Sequence, residues 1–119
     1  MKDYWRIGEQ NFESIRANCY DFAIACFKLV QLIEQEKKVY DAIEIMNHAP
    51  KILRILDAIQ HETDLRKFKT GVGQAITEIQ ASMLALLNIY RESVYKKEID
   101  ILVKMGQDLK DILAKFMDI

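Results

Sequence analysis

The chain has 119 residues, which is the usual length of a single domain. Its four glycines and one proline are too few for a fold rich in hairpins or for glycine-rich phosphate loops, so the composition predicts an all-α protein. The 17 basic and 18 acidic residues nearly cancel, which argues against binding nucleic acid or an acidic membrane through overall charge.

The apolar segments of the chain do not predict a membrane protein. The longest mostly apolar run, residues 81–90, is interrupted by Ser82 and Asn88 and is far shorter than the roughly 20 residues of a membrane-spanning helix. The N-terminal residues lack the apolar run of a secretory signal. We therefore expect a cytoplasmic protein with no membrane partner.

The first predicted helix carries one unbroken apolar stripe. The helix is predicted to begin near Asp3 or Asn11 and to end near Gln35. The spacing of Cys19 and Cys26 separates their Cα atoms by about 10 Å on a helix, beyond disulfide reach, so both are predicted to be reduced core residues. The stripe alternates steps of three and four residues: Phe12, Ile15, Cys19, Phe22, Cys26, Leu29 and Ile33.

The second predicted helix contains the only proline of the chain. Because Pro50 has no amide hydrogen and clashes with the preceding turn, we expect the helix to be kinked or broken at residues 47–50, with Asn47 capping a restart. The predicted core stripe is Val39, Ile43, Met46, Leu53, Leu56 and Ile59.

Two further amphipathic helices complete the chain. The third begins after Thr63 or Thr70, and its Gly71 and Gly73 predict a close contact with another helix, because glycine weakens a helix interior. Its stripe is Leu65, Phe68, Val72, Ile76, Ile79, Met83, Leu86 and Tyr90. The stripe of the fourth is Ile99, Leu102, Met105, Leu109, Ile112 and Phe116.

Four helices joined by short connections predict an antiparallel up-down-up-down four-helix bundle, formed as one domain over residues 1–119. The two halves of the chain are partly alike, since Asp41 and Met46 recur as Asp100 and Met105. Either an internal duplication or a chance similarity between two amphipathic helical hairpins explains this recurrence.

No constellation of residues predicts a metal, a cofactor or a catalytic centre. The chain has no Glu-x-x-His motif for a di-iron site, and its two cysteines and two histidines form no close ligand pair for zinc. His48 and Lys51 resemble the His-x-x-Lys of histidine phosphotransfer domains, but Pro50 and the bulky Ile52 depart from that pattern. The protein is therefore not expected to be an enzyme.

One pair of residues supports an enzymatic alternative. Arg54 and His61 resemble the Arg-x4-6-His signature of HEPN ribonucleases, which implies RNA cleavage at a dimer interface. Their spacing of seven places both on one helix face, about two turns apart. Ile55 departs from the signature, which usually has a polar residue after the arginine.

Two segments resemble small four-helix proteins. Residues 65–78 are similar to the run L-x-R-x-x-T-S-I-G-A-N-I-A-E of proteins encoded by ribosomal RNA intervening sequences, with Gly71 and Ala75 as departures from its Ser and Asn. Residues 99–116 look like the closing helix of the related accessory variability determinant (Avd) proteins. The two alignments place residues 65–78 on different helices, and together they cover about half of the chain.

The resemblance implies a non-enzymatic bundle that assembles into ring-like homo-oligomers, and the Avd branch binds a reverse transcriptase and nucleic acid. In an antiparallel bundle, five basic residues lie at the same end and are the candidate contacts for nucleic acid: Lys37, Lys38, Arg91, Lys96 and Lys97. Six acidic residues lie in the same turns, so the charge does not favour this role.

Apolar residues outside the core stripes predict a protein interface. A monomeric bundle needs one wide stripe per helix, and additional apolar positions mark an interface unless the core is wide enough to bury them. The predicted interface residues are Ala17, Tyr20, Ile24, Phe27, Leu84 and Leu87. We expect a homo-oligomeric scaffold or adaptor with the protein partner left open; an Avd-type nucleic-acid accessory protein is the alternative, and a HEPN-like ribonuclease is the weaker one.

Overall fold

The structure, a computed structural model, describes residues 6–7, 10–35, 39–91 and 93–118, with side chains at 11–34, 43–91 and 93–118. The elements are β1 Arg6–Ile7, β2 Gln10–Asn11, α1 Phe12–Gln35, α2 Val39–Ile59, α3 Leu65–Tyr90 and α4 Lys96–Phe116. The two short strands pair antiparallel ahead of α1. The four helices share one apolar core, which confirms the predicted all-α four-helix bundle.

Helix α1 begins at the later of its two predicted starts. The Asn11 side chain caps it by accepting a hydrogen bond from the Ser14 amide at 2.8 Å. Every residue of the predicted core stripe of this helix, from Phe12 to Ile33, is buried. At the end of the core where α1 begins, Phe12 packs edge to face on Phe68 and Phe116, with ring centroids 5.3 and 6.0 Å away.

Helix α2 runs without interruption through Pro50, so the prediction of a break with a new cap at Asn47 is wrong. Pro50 removes one backbone hydrogen bond, but the flanking Ala49 and Ile52 are fully packed in the core and hold the helix on both sides. A bend at this position stays a prediction.

The core face of α2 also differs from the predicted stripe. Ile43 is 46% exposed, and Met46 and Leu53 are half-buried at the edge of the core. Helix α2 packs more extensively on α3 than on α1, and this turns a different set of residues inward. The buried set is Ile45, Ala49, Ile52, Leu56 and Ile59.

Helix α3 is capped by a residue that the sequence analysis did not select. Asp64 accepts a hydrogen bond from the Lys67 amide at 3.2 Å, so the predicted caps Thr63 and Thr70 are wrong. The hydroxyl of Thr70 instead donates to the carbonyl of Arg66 inside the helix. A carboxylate at this position also stabilises the positive end of the helix dipole.

The glycines of the bundle mark where helices approach closely. A Cβ added at Gly71 would overlap Cγ2 of Ile59 on α2, whereas one at Gly73 would meet only Met117, at 3.8 Å. Gly106, which the sequence analysis did not assign to a contact, would place a Cβ 2.8 Å from Cγ of Met83. Close packing therefore accounts for Gly71 and Gly106, and the spacing at Gly73 is ordinary.

Helices α3 and α4 contact each other with opposite chain directions. Gly106 lies against Met83, and Lys110, one turn later on α4, contacts Gln80, about one turn earlier on α3. Gly106 and Leu113 are buried in α4, while the predicted core residues Met105 and Ile112 are half-buried at its edge.

The arrangement places α1 and α3 at opposite corners of the bundle. Helix α1 packs on α2 and α4, and α3 packs on the same two helices. The outer faces of α1 and α3 therefore point away from each other. Within the described part of the chain, none of the helices combines the length and apolar character needed to cross a bilayer.

Candidate interaction surface

The first candidate surface is a row of apolar side chains on the outer face of α1. Ala17, Tyr20, Ile24 and Phe27, here called the α1 stripe, follow one another at steps of three and four residues. Tyr20, Ile24 and Phe27 are 50%, 40% and 47% exposed. The core therefore does not absorb the α1 stripe.

The second candidate surface lies on α3. Leu84 and Leu87, here called the α3 pair, are 52% and 49% exposed. They follow Ile24 and Phe27 by 60 residues, so each helical hairpin presents an apolar pair at a similar position. Because α1 and α3 occupy opposite corners, the structure does not bring these predicted interface residues together within one chain.

Ile43 adds to the first surface, although the sequence analysis placed it in the core. Arg16 on α1 contacts Asp57 on α2, which fixes the register of the two helices. Ile43 precedes Asp57 by 14 residues, so it lies within about 40° of the same side of α2 and one turn beyond the level of Phe27.

The predicted cations give a mixed surface. Lys37 and Lys38 lie outside the described residues. Arg91 and Lys97 are exposed, and Nζ of Lys96 lies 5.8 Å from the ring centroid of Tyr90.

Acidic partners lie among these cations. The Tyr90 hydroxyl donates to the carboxylate of Asp100 at 3.2 Å, and this hydrogen bond, together with the negative charge of Asp100, raises the pKa of Tyr90. The described part of this end therefore carries charges of both signs.

The structure gives separate environments to the residues of the two enzymatic hypotheses. Nδ1 of His48 lies 2.7 Å from a carboxylate oxygen of Glu78, so this half-buried histidine is engaged with α3. Arg54 is exposed on α2, but the helix ends at Ile59 and His61 lies in the following turn. The expectation that Arg54 and His61 share a helix face is therefore wrong.

The two thiols are buried in the core, away from any group that could activate them. Cys19 and Cys26 are free and buried, and burial raises the pKa of each thiol to about 12. Among residues 11–34, 43–91 and 93–118, no cluster of three or more His, Cys, Asp or Glu side chains has the arrangement of a metal site.

A shallow groove that the sequence analysis missed lies beside the first turns of α3, at the other end of this helix from the α3 pair. It has a volume of about 460 Å³ and is open to solvent between the start of α3 and the end of α4. Its charged lining residues are Arg66 and Lys69, both basic.

Comparisons with protein-family models, curated proteins and solved structures give no match to the chain.

Proposed function

We propose that the protein acts by binding and forms a homo-oligomeric scaffold or adaptor through the α1 stripe and the α3 pair. The observation that carries this proposal is the exposure of five large apolar side chains, which form two rows on α1 and α3. Both helices already bury another apolar face in the core of the bundle. Contiguous apolar surface of this kind is typical of sites of association. Scattered single residues would not have this meaning.

The energy available supports association. Full burial of a large apolar side chain is worth roughly 1.5–3 kcal/mol, so covering the exposed half of each contributes about 1 kcal/mol. Five such side chains on each copy supply several kcal/mol toward the cost of bringing two chains together.

The rigid placement of the two surfaces also supports the proposal. The α1 stripe lies in the middle of α1 and the α3 pair lies in the last two turns of α3, and both helices are fixed in the core there by Phe22, Cys26 and Leu86. Pre-ordered side chains lose little conformational entropy when a partner covers them. A second copy therefore meets a surface that is already formed.

Light scattering on three single variants tests the proposal. Ile24→Asp and Leu87→Asp each place a charge in one surface, and we expect each to lower the mean molar mass while the helical circular dichroism spectrum is retained. The matched control is Ile101→Asp, because Ile101 is 53% exposed on α4. It lies on the opposite side of α4 from Lys110, whose side chain contacts α3.

The control variant should keep the molar mass of the wild type. An equal loss of mass in Ile101→Asp would show that any added charge disperses the protein, which contradicts the proposal. If Ile24→Asp and Leu87→Asp unfold, the two surfaces belong to the fold and the proposal is wrong.

A further inference from the structure

We infer that the bundle opens locally along one line, the seam between α1 and α4, while its other three seams stay closed. A seam here is the line of contact between two neighbouring helices. The inference is independent of the proposed self-association, because no residue of the α1 stripe or the α3 pair lines the groove that marks this seam.

The α1–α4 seam is the least packed of the four. Among the neighbouring helices, α2 and α3 pack on each other most extensively, and α1 and α4 least. A groove of about 290 Å³, open to solvent, lies between α1 and α4. Side chains beside such a gap lack neighbours on one side, so they contribute less dispersion energy to holding the helices together. The lining residues are Asn18, Asp21, Met105, Asp108, Leu109 and Ile112.

Polar side chains bridge two of the other seams. An ion pair joins Arg16 on α1 to Asp57 on α2, with 2.6 Å between the nitrogen and oxygen atoms. A contact of 2.7 Å joins Nδ1 of His48 on α2 to a carboxylate oxygen of Glu78 on α3. Both seams therefore have a directional contact in addition to apolar packing.

The seam between α3 and α4 has two polar bridges. Lys110 donates to the side-chain oxygen of Gln80, and the hydroxyl of Tyr90 donates to Asp100. Among the described side chains of α1 and α4, in contrast, no hydrogen bond or ion pair joins these two helices.

The charged residues beside the groove do not supply the missing bridge. Asp21 on α1 and Asp108 on α4 are exposed and line the same groove. Because both carboxylates are negative, they add no attraction across the seam. Lys28 and Lys104 offset part of this charge from within their own helices, but neither forms an ion pair with the opposite helix.

The apolar contacts across the seam are strongest at one end. Phe12 packs on Phe116 where α1 begins, and this pair holds the two helices together there. In the middle of α1, Phe22 faces Gly106 on α4. Glycine has no side chain, so α4 contributes little apolar surface at that point.

Opening of the α1–α4 seam uncovers two thiols. Cys19 and Cys26 lie one turn before and one turn after Phe22 on the buried face of α1. In the closed bundle, burial raises the pKa of each thiol to about 12, and the reactive thiolate is suppressed. Local opening lets a reagent reach them without unfolding of the whole chain. The seam therefore controls their reactivity.

Alkylation of thiols under native conditions tests the inference. Ser82→Cys introduces a reporter at a fully buried position one turn after Glu78, on the side of α3 that faces α2. Tryptic peptides separate this thiol from Cys19 and Cys26, so mass spectrometry measures both regions in the same chain. Relative to the rates in the unfolded chain, we expect the two native thiols to react at least about tenfold faster than the introduced one.

The dependence on urea distinguishes local from global opening. Alkylation of Cys19 and Cys26 should change little at low urea, because local opening exposes little surface, whereas alkylation at position 82 should rise as steeply as global unfolding. Equal rates and slopes would show that the chain opens only as a whole. Faster alkylation at position 82 would show that the α2–α3 seam opens first. Either result contradicts the inference.

A charge reversal in the groove tests the cause of the opening. Asp108→Lys places a cation in the groove that Asp21 lines, and it should slow alkylation of Cys19 and Cys26 about twofold to fivefold, as expected for an exposed ion pair. The matched control is Asp111→Lys, which makes the same charge change on α4 outside the groove and should leave the rate unchanged. An unchanged rate in Asp108→Lys, or equal slowing in the control, would show that the groove does not control the opening and that the inference is wrong.

Discussion

At the scale of single residues, burial controls the chemistry of Cys19 and Cys26. Both thiols have a pKa of about 12 in the folded chain instead of the ordinary 9.0, because burial disfavours the thiolate. A raised pKa contributes stability that is fully present below pH 9 and is lost as the pH rises toward 12, since the unfolded chain ionises first.

We therefore expect the free energy of unfolding to fall between about pH 9 and pH 12, as measured by urea denaturation. Replacing both Cys19 and Cys26 by alanine should flatten this part of the profile, even though the variant is less stable at pH 7. An unchanged slope in that variant would show that other groups cause the alkaline loss.

Gly71 and Gly73 form a matched pair for testing close helix packing. Gly71→Ala should lower the free energy of unfolding by about 1–3 kcal/mol, because the new methyl group overlaps Ile59. Gly73→Ala should raise it by about 0.5–1 kcal/mol, because alanine favours the helix and the site is open. Chemical denaturation measures both, and equal effects would contradict the assigned contact.

The sequence predicted some of these residue environments and missed others. Two glycines inside a helix indicated that something approaches closely, because their helix propensity is poor. The sequence did not distinguish Gly71 from Gly73, since the choice depends on where Ile59 falls across the bundle. Gly106 was missed as a contact because Met83 and Phe22, which surround it, come from two distant helices.

At the scale of the elements, α2 accommodates a proline within its span. Pro50→Ala restores the missing amide, so we expect the free energy of unfolding to rise by about 1–3 kcal/mol in chemical denaturation. The control is Asn47→Ala, which should be nearly neutral because Asn47 is an exposed mid-helix residue and not a cap. A loss near 1 kcal/mol at Asn47 would contradict the continuous helix.

The helices differed in how completely their sequences predicted them. Helix α1 has a separate core stripe and outer stripe, so every residue of its predicted core stripe is buried, although the prediction missed the buried Ala23 and Val30. Helix α2 has two overlapping apolar rows, and packing on α3 selects the row of Ile45 and Ile52 over that of Ile43. The start of α3 offered several capping residues, and Asp64 was overlooked beside the two threonines.

At the scale of the whole molecule, the predicted interface residues are exposed in the structure, but so are Ile43 and Leu65 from the predicted core stripes. The sequence identified Tyr20, Phe27 and Leu84 because each falls outside a complete core stripe.

The molar mass of the wild-type chain in solution tests self-association most directly. Light scattering over a dilution series from high to low micromolar concentration should give a mass well above 13.9 kDa at the upper end, falling on dilution as the apolar contacts dissociate. A mass of 13.9 kDa at every concentration would contradict the account.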